Sequence, residues 1–132
     1  MNTILNIIEI NQGNYKFTVS FENDESKALE VPVDKLDNSA EMVGIHFENK
    51  GKRLEPADFR VISKEAYRST IVNPNKHVSI EFIGTIEKRG EKYHYLSFKN
   101  ASYRIIPGEK YKVWFSLNGY VSKPIEMIFD LE

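Results

Sequence analysis

Apolar and polar residues alternate with a period of two along much of this chain, the repeat of a strand with one face buried and one wet. The densest stretch is 77–121. It reads HVSIEFIGTIEKRGEKYHYLSFKN and then ASYRIIPGEKYKVWFSLNGYV, alternating runs separated by a Gly turn and a Pro-Gly turn. With Lys88-Arg89-Gly90 as a three-residue loop, glycine last, Phe82 faces Leu96 and Ile80 faces Phe98. The opposite face then carries Ile83, Thr85, Tyr93 and Tyr95, and a strand apolar on both faces calls for a second covering layer. A short strand is predicted at 103–106 and a turn over Pro107-Gly108-Glu109-Lys110. The run 111–117 sends Val113, Phe115 and Leu117 inward and Trp114 to the other face, and Asn118-Gly119 is a hairpin turn. Ile125, Met127, Phe129 and Leu131 alternate in a closing strand at 124–131.

The first half carries the same grammar less densely. Residues 4–10 form a first strand, turned at Asn11-Gln12-Gly13, and Tyr15, Phe17, Val19 and Phe21 alternate in a second. If Gly13 takes the left-handed position that ends the loop, Ile7 lies opposite Phe17 and Leu5 opposite Val19. A third strand is predicted at 28–33, with Pro32 on an edge or at a bulge because it cannot donate to a ladder. A fourth follows at 42–47, turned at Asn49-Lys50-Gly51. Polar residues 34–41 suit a loop or one helical turn. The stretch 56–72 mixes helix and strand signals, and we read a strand at 58–63, a short turn or helical piece near 64–67, and a loop through Asn73-Pro74-Asn75. The fold class expected is all-β: an antiparallel sandwich or a small barrel built from Gly-turn hairpins, with little helix. A weak echo links IEINQGNYKFTVSFEN (8–23) to IEKRGEKYHYLSFKN (86–100). Duplicated halves at 1–72 and 73–132 would explain it, and so would the small vocabulary of hairpins.

Length and composition narrow this picture. The 132 residues suffice for a single compact domain with a sizeable core, and 41% hydrophobic with 28% charged residues is ordinary for a globular protein. No apolar run approaches the roughly 20 residues that span a bilayer, so no membrane partner is expected. The N-terminal segment reads as a strand rather than a signal peptide. Cysteine is absent, which removes disulfides, thiolate nucleophiles and cysteine-held zinc and points to the cytoplasm. The net charge of −1 is unevenly spread: residues 1–63 hold seven basic and eleven acidic residues (−4), 64–123 eleven and five (+6), and 124–132 only three acidic ones (−3). A basic, aromatic stretch can be a nucleic-acid footprint or simply the solvated face of a sheet.

Catalytic signatures do not stand out. No G-x-S-x-G elbow and no phosphate-cradling glycine loop is present, and His46, His77 and His94 lie in or beside separate strands with no ligand spacing between them. No catalytic residue, metal or cofactor is therefore expected. The segment 77–131, with V-x-I-x-F-x-G-x-I, a Gly turn, Tyr and Leu, a short strand and P-G-E-K-Y-K-V-W-F-x-L-x-G, resembles the strand order of the oligonucleotide/oligosaccharide-binding (OB) fold. Gly84 matches the glycine that lets the first strand of that fold bend, while the helix usual between its third and fourth strands has no counterpart. The resemblance implies binding of single-stranded nucleic acid on stacked aromatics and basic side chains, here Tyr93, Tyr95, Tyr103, Trp114, Lys92, Arg104 and Lys112. Against that stands a non-catalytic module whose partner is another protein, of the inhibitor or immunity type, with its opposite charges steering the encounter. Carbohydrate recognition on exposed aromatics is a third reading.

Overall fold

The computed structural model describes residues 1–31, 44–59 and 69–129, and every regular element among them is a strand. In chain order these are β1 (Asn2–Asn11), β2 (Asn14–Glu22), β3 (Leu29–Val31), β4 (Ile45–Asn49), β5 (Lys52–Arg53), β6 (Asp58–Phe59), β7 (Thr70–Val72), β8 (His77–Arg89), β9 (Tyr93–Ser97), β10 (Ala101–Ile105), β11 (Lys110–Leu117), β12 (Tyr120–Val121) and β13 (Ile125–Ile128). All ladders are antiparallel. The first sheet has the order β1-β2-β8-β9-β10-β6. The second runs β12-β11-β4-β5, with β13 also on β11, and β3 and β7 form a separate ribbon. The two large sheets share no ladder among the described residues, so the molecule is a sandwich and not a closed barrel. The expected end of the third strand (Pro32 and Val33), residues 34–43, the mixed stretch from residue 60 to 68, and Leu131 lie outside the described residues.

Alternation along each strand decides what fills the sandwich. Tyr15, Phe17, Val19 and Phe21 of β2 are buried, as are Ile80 and Phe82 of β8 and Tyr111, Val113 and Phe115 of β11. The inner faces meet ring to ring: Phe17 and Phe47 at 6.2 Å between centroids, Phe21 and Phe115 at 5.6 Å, Tyr15 and Phe129 at 5.1 Å. Interplanar angles of 70°, 83° and 84°, in the same order, set ring edges toward ring faces, the arrangement an aromatic quadrupole favours. Gly84 belongs to this layer for want of space, since a Cβ there would lie 2.9 Å from the Phe98 ring.

The first hairpin has the expected register, Ile7 opposite Phe17 and Leu5 opposite Val19, with Gly13 at φ 81°. The second hairpin departs from expectation. Its turn is 90–92 with Gly90 first, Arg89 pairs with Tyr93 and Ile86 with Leu96, while Phe82 pairs with Phe17 of β2. This slip of four residues keeps every side chain on its predicted face, so the alternation could not detect it. Phe98 leaves the ladder, its N–H donating to the Ala101 carbonyl at 2.7 Å in a tight turn. Among the described residues no layer covers the opposite face as expected: Ile83 and Tyr93 remain 45% and 42% exposed.

At the edge of the second sheet β11 is paired by two short strands in succession, β12 and β13, separated by Ser122-Lys123-Pro124. Ser122, itself buried, holds the break: its N–H donates to the Phe115 carbonyl at 2.9 Å, and the Phe115 N–H donates to Ser122 Oγ at 2.8 Å. Buried Asn23 plays a similar part at the other end, its Nδ2 donating to the carbonyls of Lys27 and Val72 while its Oδ1 accepts from the Glu25 N–H. It thereby ties the end of β2 to the small ribbon.

Phe47 touches Phe17, Phe98, Tyr103 and Phe129 at the centre of the sandwich. Phe47→Ala is expected to lower the unfolding free energy by about 3–5 kcal/mol in urea denaturation. Ile71→Ala, on the exposed side of the ribbon, should change it by no more than about 0.5 kcal/mol. Equal effects would mean that the two sheets do not share this core.

Candidate binding surface

The outward face of the first sheet is a grid set by its registers. One row holds Asn14, Thr85, Ser97, Ser102 and Asp58, the next Glu87, Tyr95 and Arg104, and the last Arg89 and Tyr93. Diagonal neighbours across these rows interlock. The Arg104 guanidinium lies 3.9 Å from the Tyr93 ring centroid and that of Arg89 lies 4.5 Å from Tyr95, both within cation–π range. Arg89 also reaches across the rows to Asp58 at 2.7 Å, to Ser97 Oγ at 3.2 Å and to Glu87 at 3.5 Å, and the Ser102 hydroxyl donates to Asp58 at 3.0 Å. The bond to Asp58, reinforced by Glu87, holds the Arg89 guanidinium even more firmly protonated than usual. A partly open pocket of about 370 Å³ sits beside this hub, lined by Asp58, Glu87, Arg89, Ser97, Lys99 and Ser102 among others.

The seven candidate residues therefore do not form one surface. Tyr93, Tyr95 and Arg104 come together on this corner, with Lys92 in the adjoining turn. Tyr103, expected among the binding aromatics, is instead a core residue: it faces Leu96 across the β9–β10 ladder, is 7% exposed, and packs with its ring centroid 4.7 Å from that of Phe47. Burial pushes its hydroxyl pKa up, as expected for a core phenol. Trp114 and Lys112 point out from β11, on the outward face of the second sheet. Arg89 is the residue that sequence reading missed, hidden by its assignment to the turn. The parity it shares with Tyr93 and Tyr95 was the available signal.

Trp114 has its own surroundings. It sits opposite His46 of β4, ring centroids 5.5 Å apart, and Arg53 of β5 donates to His46 Nδ1. His46 Nε2 consequently carries the proton and donates to the Ser116 carbonyl at 3.2 Å. Half-burial lowers the His46 pKa and the neighbouring Arg53 charge lowers it further, against the opposing pull of the Ser116 carbonyl. The neutral imidazole is thus a spacer between an indole and a guanidinium. Among the described residues no group of three His, Asp or Glu side chains converges as a metal site would require, and no helix is long and apolar enough to cross a membrane.

Because the folded pKa of His46 is lowered from about 6.5, the unfolded chain takes up the proton first as pH falls. The stability this site contributes is complete above the unfolded value and drains away as pH drops from roughly 6.5 toward the lower folded value. Urea denaturation at pH 7.5 and 5.5 is expected to show a stability loss that His46→Gln reduces. An unchanged difference in the variant would mean that His46 is not the group responsible. Comparison with models of known protein families finds none that matches this chain, and comparison with curated proteins finds no similar sequence.

Proposed function

We propose that this protein is a non-catalytic binding module whose partner is another protein, engaged by the corner of the first sheet where Tyr93 and Tyr95 interlock with Arg89 and Arg104. The observation that carries this reading is the double guanidinium–ring stack on an open sheet face. Tyr and Arg are the residues most enriched at the energetic centres of protein interfaces. Stacking holds their long side chains in place before a partner arrives, which lowers the entropy lost on binding. Exposed Ile83 lies on the same face two rows from Tyr95 and adds apolar area there, and the ion pairs of this face provide a polar rim.

Charge favours a protein over a nucleic acid. Part of the basic excess of the second half is met in space by carboxylates from the other segments: Arg89 pairs with Asp58, Lys112 with Glu48 and Lys110 with Glu126. On the outward face of the first sheet Lys16, Arg89 and Arg104 are matched by Glu81, Glu87 and Asp58. A surface so balanced would release few counterions from a phosphate backbone.

Tyr95→Ala combined with Arg104→Glu is expected to abolish capture of a partner protein from source-organism lysate while leaving the melting temperature within a few degrees. A partner retained equally by both proteins would remove this surface from the reading. Fluorescence anisotropy with single-stranded oligonucleotides at low salt should show no binding; binding that falls steeply with added salt would replace the protein-partner reading with the nucleic-acid one.

A further inference from the structure

β1 is an edge strand whose protection, the inward-face charge of Glu9 and a register shift, is confined to its last three residues. Among the described residues its only ladder is to β2, and its other edge runs free for the length of a ten-residue strand. Natural edges are blunted by proline, by lysine, by early bulges or by shortness. In NTILNIIEIN there is no proline and no basic residue, and the register shift comes only at the last turn, between Glu9 and Asn11. Ile4, Ile8 and Ile10 are 37%, 54% and 51% exposed along it. A row of unpaired backbone groups flanked by exposed isoleucines is a template for another strand.

The sequence of the strand says which one. An antiparallel pairing of β1 with itself must match residues of the same face, so its centre must fall on a residue. Centred on Asn6, the pairing sets Ile4 against Ile8 and Asn6 against Asn6 on the outward face, and Leu5 against Ile7 and Thr3 against Glu9 on the inward one. Apolar meets apolar on either side of the centre in both rows, Asn2 meets Ile10 at the ends, and the lone charge of the strand, Glu9, meets a threonine rather than its own copy. Centring on Leu5 would set Ile4 against Asn6, and centring on Ile7 would set Leu5 against Glu9. We propose that β1 pairs antiparallel with β1 of a second copy of this chain about a two-fold axis at Asn6, joining the two first sheets into one continuous sheet. Such a contact is self-complementary and closes at two copies. It lies at the far edge from β9 and β10, so both Tyr–Arg corners stay free, and it stands independently of the function proposed above.

The register makes a specific test. Sedimentation of the intact chain should give twice the chain mass, falling toward the single-chain mass on dilution. Ile4→Lys with Ile8→Lys places like charges opposite each other twice and should give single chains with an unchanged strand-type circular dichroism spectrum. Ile4→Lys with Ile8→Glu places opposite charges there and should restore the pair. Because the chain has no cysteine, single-cysteine variants report the axis directly. Asn6→Cys should oxidise to a linked pair, since facing Cα atoms in an antiparallel ladder lie within disulfide reach, about 4.5–5.5 Å apart, whereas Asn2→Cys should not. A single-chain mass at every concentration for the intact protein, pairing that survives the double lysine variant, or linking at position 2 in preference to 6 would each overturn the proposal.

Discussion

Packing of aromatic rings between the two sheets is the interaction on which the rest of this molecule depends. Phe17 from one sheet, Phe47 from the other, Phe98 from a turn and Phe129 from the end of the described chain meet in one layer, with Tyr103 against them. Neither sheet would stand alone, since each leaves an inner face of large apolar side chains that needs the other. Once that layer is filled, strand parity fixes what points outward. The Tyr–Arg corner exists because Tyr93, Tyr95 and Arg104 have the parity opposite to Leu96, Tyr103 and Ile105, which are buried.

Much of this could be read before the structure was known. The all-β class, the first hairpin with its register, the inward set Val113 and Phe115, and the Asn118-Gly119 turn all follow from alternation and glycine placement. These are local signals, and the Asn118-Gly119 pair indeed takes positive φ at both residues. Long-range pairing was not legible: nothing in the sequence says that His46 will face Trp114 or that Asp58 will reach Arg89. Even the nearer error, the slip of the 77–97 hairpin, was invisible because moving a ladder by an even number leaves both faces chemically unchanged. Tyr103 shows how one such uncertainty spreads. Only once Tyr95 is known to face Arg104 does Tyr103 fall beside Leu96 and into the core.

Charge behaves in the same way. Counted along the chain, the basic second half resembles an electrostatic footprint. Folding interleaves the halves, placing β8 against β2 and β11 against β4, and an ion pair forms across each contact, Lys16 with Glu81 and Lys112 with Glu48. Linear charge segregation is thus a property of chain order, and part of it is lost where strands of the two halves become neighbours.

The break at Ser122 has a bearing on growth of larger assemblies. A fibre needs two open sides on each subunit, one to receive and one to give. On the second sheet the margin beside β11 is cut into two short pieces, with a proline in the gap that has no N–H to offer and a serine that turns a backbone donor toward its own side chain. That margin offers no unbroken rail for a neighbour to extend, so the sheet is terminated there by construction.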